Sequence, residues 1–197
     1  MYGSIPKIIE KLKVGQIIIG KQFESSENYE EVMNLVKDKN IATHVLESGQ
    51  KINIEKNLCI DILWPNKNQI SENSLNNNSL VCKLNYNNFS MLFTGDIEKV
   101  AEEKVLKNID NDLLNADILK VAHHGSKTSS TEEFINVVKP RIALIGVGKN
   151  NKFGHPNEDV LNRLSNYGTK IYRTDENGEI SIMIDRKGVI SVEKFIE

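Results

Sequence analysis

From Phe89 onward the sequence alternates short apolar runs with segments of helical period, and this pattern narrows the fold more than any other feature. A strand run at 89–94 precedes a helical segment at 97–106. A second run at 117–122 precedes one at 131–138, and a third at 141–147 precedes one at 157–167. Such alternation favours parallel strands joined by right-handed helical crossovers. Strands near 170–174, 180–185 and 189–194 follow, with turns at Asn177-Gly178 and Lys187-Gly188. The first half adds a helix at 4–12 with Pro6 in its first turn, where the missing amide is tolerated. A strand at 14–19, a helix at 28–39 with Val32, Leu35 and Val36 on one face, and a strand at 43–47 come next. Alternating runs at 51–54, 57–64 and 79–86 read as antiparallel strands. Between them, 67–78 is a polar, Asn-rich loop, and Asn87-Asn88 suits a two-residue hairpin turn. The expectation is an α/β fold with two sheets and helices outside them, in a single domain over 1–197.

Charge and cysteine content narrow the function classes. Lys and Arg number 25 against 27 Asp and Glu, a net charge of −2, so no general field draws the chain to nucleic acid or anionic membranes. A polyanionic substrate would need a local site or a metal. No apolar run approaches the roughly 20 residues that span a bilayer. The opening Met1-Tyr2-Gly3-Ser4-Ile5-Pro6 lacks the basic-then-apolar pattern of a secretion signal, so a cytoplasmic chain is expected. Cys59 and Cys82 lie in alternating apolar runs without a CxxC pattern, and they read as free thiols in strands.

Three segments just past strand ends carry candidate chemistry, where α/β sheets present functional groups. In Phe93-Thr94-Gly95-Asp96 a glycine lets the backbone turn closely around whatever the acid holds; the plainer alternative is that Asp96 caps the next helix. In Ala122-His123-His124-Gly125-Ser126-Lys127-Thr128, adjacent histidines leaving a strand point to opposite faces, so one of them faces a given pocket. Imidazole suits Zn²⁺, Fe or Mn²⁺ and also serves as a general acid near neutral pH. The hydroxyls beyond it suit phosphate oxygens or helix caps. In Gly154-His155-Pro156 a histidine enters a helix, as a ligand or as a structural loop residue. His44, inside a strand, is expected to be packed or hydrogen-bonded.

Taken together across about residues 2 to 185, these segments resemble the metallo-β-lactamase-fold domain of ComEC-type competence proteins. The resemblance rests on Gly3-Ser4-Ile5-Pro6, Asn76-Asn77-Asn78-Ser79-Leu80-Val81, Phe93-Thr94-Gly95-Asp96, Leu119-Lys120-Val121-Ala122-His123-His124-Gly125-Ser126 and Gly154-His155-Pro156. It implies an αββα sandwich and metal-dependent hydrolysis with Zn or Mn, acting on phosphodiesters such as DNA during uptake. By that likeness Asp96 takes the place of a carboxylate that bridges two metals. His155 completes the site by chain order, and His123 or His124 is a further ligand or the proton donor. Asn78 stands where many relatives have a ligand histidine. Ser126, Lys127 and Thr128 fall at substrate contacts. The family's leading HxHxDH motif does not occur in the sequence, so the resemblance covers an N-terminally truncated form of the fold and implies one ion at most. An apolar sheet face left open by that truncation would be covered by a second copy or a partner chain. The readings that follow are a piece of a longer hydrolase, a remnant completed by another chain, and a non-catalytic module that binds through the residual cleft.

Overall fold

The computed structural model describes residues 4–21, 27–185 and 187–196. Tyr2 and Gly3 of the resembling segment lie outside these. In chain order the elements are α1 (Ile5–Lys11), β1 (Gln16–Gly20), α2 (Glu27–Asp38), β2 (Ala42–Leu46), β3 (Lys51–Glu55), β4 (Leu58–Trp64), α3 (Ser74–Asn77), β5 (Val81–Tyr86) and β6 (Phe89–Phe93). They continue with α4 (Lys99–Asn108), α5 (Asn111–Leu114), β7 (Ile118–Lys120), α6 (Glu132–Val138), β8 (Ile142–Ile145), α7 (Glu158–Asn166), β9 (Lys170–Arg173), α8 (Thr174–Asn177), β10 (Ile180–Ile184) and β11 (Ile190–Lys194). The expected mixed α/β class holds. The 67–78 stretch differs from a plain loop by one short helix, α3.

Seven strands form one sheet in sequence order, β3 to β9. From β3 to β6 the pairs are antiparallel, as alternating runs and tight turns require. Asn87 turns the β5–β6 hairpin at a φ of 51°, a left-handed value Asn tolerates. From β6 to β9 the pairs are parallel, because each connection is a helical crossover. The remaining strands form a parallel pair, β1 with β2, and an antiparallel pair, β10 with β11. The strands thus divide into one large sheet and two small ones, where two sheets were expected. His44 is exposed in β2, against the expectation that it would be packed.

The main core lies on the face of the large sheet that carries α4, α6 and α7. Leu92, Leu119, Ala143 and Ile145 from the strands meet Ala101, Val105, Phe134, Ile135, Val138, Val160 and Leu164 from these helices, all buried. A smaller cluster of Ile9, Val32 and Val36 joins α1 to α2. Trp64 is fully buried, and its indole N–H donates to the Asn77 carbonyl at 2.7 Å, pinning the α3 loop against the sheet. Cys59 and Cys82 are free thiols, and burial pushes Cys82 up to about 11.

One buried carboxylate shapes the loop before α6. Glu102, on α4 and fully buried, accepts the amides of Ser130 at 2.5 Å and Thr131 at 2.8 Å. Burial pushes this carboxyl up, against the Thr131 and Ser130 hydrogen bonds and the nearby Arg163, which hold it down. From the other side Arg163 donates to the carbonyls of Ser130 at 2.9 Å and Ser129 at 3.1 Å. The peptide at 129–131 is therefore gripped from both sides. Glu102→Ala strips two buried amides of their acceptor and opens a cavity. The expected cost is about 3 kcal/mol, a fall in Tm on the order of 10 °C by calorimetry.

Candidate active site at the strand ends

Two glycines let three strand ends close on one another. Gly95 has a φ of +55°, and a Cβ there would lie 2.6 Å from the Ser79 Cβ. Only a glycine lets the turn after β6 lie against that loop. Its carbonyl accepts the His123 amide at 3.0 Å, which ties the first segment to the second. Gly125 has a φ of +80°, and a Cβ there would lie 2.7 Å from the Pro156 Cβ. Its carbonyl accepts the Asn157 amide at 2.8 Å, which ties the second segment to the third. Deeper in, the Thr94 hydroxyl donates to the Lys120 carbonyl at 2.7 Å and joins the ends of β6 and β7.

The histidine pair does not leave its strand in extended form. β7 stops at Lys120, and Ala122–Gly125 is a tight 3₁₀-type turn in which His123 and His124 have φ values of 47° and 54°. Two successive left-handed residues are costly for side-chain-bearing positions. The turn and not strand alternation sets the ring directions, so the expectation that only one ring faces the pocket does not hold: both histidines act on His155. The His124 Nδ1–H donates to the Gly146 carbonyl at 2.6 Å, which leaves Nε2 as the free nitrogen, 3.7 Å from the Asp96 Oδ1. His123 turns its Nδ1 toward the Glu98 Oε1, 3.5 Å away and without hydrogen-bond geometry. The rings of His123 and His155 meet edge-on with centroids 5.7 Å apart.

Asp96 is buried, and its Oδ2 has no hydrogen-bond partner. It is not a helix cap: α4 starts at Lys99 with Glu98 as its N-cap residue. Asn78, expected at a ligand position, is spent elsewhere. Its Oδ1 accepts the Ile70 amide at 2.9 Å, and its Nδ2 donates to the carbonyls of Ile70 and Ser74, each at 2.8 Å. A side chain with both polar atoms engaged in closing its own loop offers nothing to an ion. Ser126 is buried and its hydroxyl meets that of Thr128 at 3.0 Å, while Thr128 donates to Glu98 at 2.8 Å. Lys127 is exposed and lines a cavity of about 510 Å³ with Glu98, Lys99, Thr128 and Arg163.

Two residues without a role in the sequence reading belong to this cluster. Glu98 contacts His123 and Thr128 and also accepts the Asn73 amide group at 2.8 Å. Its signal was its place two residues after Asp96 in a segment that reads equally well as a helix start. Lys120 carries a partly buried ammonium; burial lowers its pKa, and Asp96 opposes that. Among the described residues no group of three or more His, Cys, Asp or Glu is placed to hold a metal ion. Asp96 and His124 do converge, as two donors.

The His155 ring is held below its ordinary value of 6.5 by burial, then by the His123 and His124 rings, against the pull of Asp96. A lowered folded-state pKa means the folded chain takes up this proton less readily than the unfolded one. Its contribution to stability is therefore whole above about pH 6.5 and is lost as the pH falls through the folded value. Urea melts of His155→Gln are expected to lose less stability than the parent as the pH falls below about 6.5, and matching slopes would remove His155 from this balance.

No protein-family model matches the chain. ComE operon protein 3 of Bacillus subtilis is 36% identical over 191 residues, covering 96% of this chain and 24% of that protein. Competence protein ComA of Neisseria gonorrhoeae is 35% identical over 114 residues, 58% of this chain and 16% of that protein. Recombination protein 2 of Haemophilus influenzae is 32% identical over 107 residues, 54% of this chain and 13% of that protein. The chain thus spans a quarter or less of the length of these relatives. A solved structure from Parabacteroides distasonis, named for metal-dependent hydrolysis, superposes with a TM-score of 0.49 at 15% identity, over 85% of this chain and 79% of that one. The likeness to ComE operon protein 3 runs along nearly the whole chain, so the chain is similar to one part of a ComEC-type competence protein.

Proposed function

We propose that residues 1–197 form one hydrolase-type domain of a ComEC-like protein, and that its strand-end cleft acts on phosphodiesters in the handling of DNA during uptake. The observation that carries this reading is the orphaned Oδ2 of Asp96, buried beside the free Nε2 of His124. A buried carboxylate oxygen without a partner is costly unless a cation or a proton meets it. The donor set fits a divalent ion: a carboxylate oxygen, and an imidazole whose other nitrogen is fixed by a backbone carbonyl, as metal-bound histidines are. Asp96 and His124 would hold one Mn²⁺ or Zn²⁺. Such an ion polarises phosphoryl oxygens and acidifies bound water.

The chain's own residues divide the remaining work. His123 lies 3.5 Å from the Glu98 carboxylate and edge-on to His155, which places it to act as the group that protonates a leaving oxygen. Lys127 supplies an exposed cation at the cavity for a phosphate oxygen, with the Ser126 and Thr128 hydroxyls beside it. No described helix is long and apolar enough to cross a membrane, so attachment to one would come from elsewhere in a longer protein or from a partner.

A second reading, a binding module that keeps the cleft without turnover, draws on the two-donor count. Calorimetric titration with Mn²⁺ and Zn²⁺ separates the two, combined with hydrolysis of bis-p-nitrophenyl phosphate. The hydrolase reading expects uptake of a single ion, weakened on the order of tenfold or more by Asp96→Asn and by His124→Gln, with chelator-sensitive turnover. Equal ion uptake by the parent and Asp96→Asn would sink it. Ion uptake without turnover would favour the binding module.

A further inference from the structure

Next to this cleft stands an aromatic ring that folding does not account for. Phe153 is 82% exposed, and its ring stacks on His155 with centroids 5.9 Å apart and an interplanar angle of 18°. A single exposed apolar residue is ordinary on a protein surface. This one is held in place by a built loop. Asn151 accepts the amides of Phe153 at 3.2 Å and His155 at 2.9 Å through its Oδ1. Through its Nδ2 it donates to the carbonyls of Gly148 at 3.1 Å and His155 at 2.7 Å. One side chain thus fixes four backbone groups and holds the Phe153 ring beside the imidazole that meets His123. With His155 against one face and so much of the ring exposed, the opposite face is open to a ligand. Lys149 and Lys152, both exposed, flank the ring on the same loop.

From this arrangement we infer that Phe153 is a stacking platform for one unpaired base of a nucleic-acid strand, seated next to the phosphodiester that the cleft holds. A flat aromatic face takes any base by stacking, and flanking ammonium groups suit the phosphates on either side. The base must be splayed from a duplex to reach the ring, so the ligand is single-stranded at that position. The inference rests on the phosphodiester reading above and narrows its substrate to base-bearing strands.

The test compares fluorescence anisotropy of a labelled oligo-dT with that of an abasic strand of equal length and charge. The parent chain is expected to prefer oligo-dT by roughly tenfold, the scale of one stacked base. Phe153→Ala is expected to lose that preference with abasic affinity unchanged, and Phe153→Trp to keep it. Because the side chain is mostly exposed, the alanine variant should melt with the parent, which circular dichroism checks. A parent without preference, an alanine variant that retains it, or a tryptophan variant that loses it would overturn the proposal. Asp96→Asn is expected to leave the preference intact, so failure of ion binding and failure of stacking appear in separate measurements.

Discussion

Everything at the strand ends depends on close backbone approach at Gly95 and Gly125. Each glycine sits at positive φ with a neighbour where a Cβ would go, and each offers its carbonyl to the next segment. An alanine at either point meets steric and conformational cost together, because the left-handed strain adds to a contact under 3 Å. The consequence reaches beyond the turns. His123 and His124 hang between the two glycine contacts, so the ring directions toward Glu98 and Asp96 are set by backbone packing more than by their own rotamers.

A second constraint works from the side. The Glu102–Arg163 grip fixes the peptide at 129–131, and the Ser129 hydroxyl meets the carbonyls of Ala122 and Ser126, each at 3.0 Å. The histidine turn is therefore braced at its start through Gly95 and at its exit through Ser129. Two consecutive left-handed non-glycine residues survive only where surroundings over-determine them. The bracing supplies that, through a network in which Glu102, Ser129 and Ser130 are buried and Arg163 is half-buried.

Much of this was legible in the residues, for identifiable reasons. Strands and helices from Phe89 onward could be read because each apolar run has one period and a clear stop, and their order in the large sheet followed from the crossovers. The strand-end placement of Asp96 and His124, which lie 3.7 Å apart, was legible, whereas no group of three or more such residues is placed to hold a metal ion among the described residues. What failed were inferences about single side chains. Asn78 looks like a ligand position in one dimension, but an amide can satisfy three backbone groups at once, and here it closes the 70–78 loop. Asp96 looks like a cap because it precedes a helical pattern, yet the helix begins later, at Lys99. Glu98 and Glu102 were hidden for the opposite reason. On a helix of mixed composition a glutamate gives no signal of facing inward, and only packing distinguishes a solvated one from a clamp.

The two-donor character of the cleft and its surroundings have one electrostatic logic. Asp96 is buried with one oxygen unmatched, the Lys120 ammonium is partly buried beside it, and three imidazoles crowd the mouth. A buried carboxylate among groups that can each become cationic has its charge matched in more than one way, by a proton, an ammonium or a metal ion.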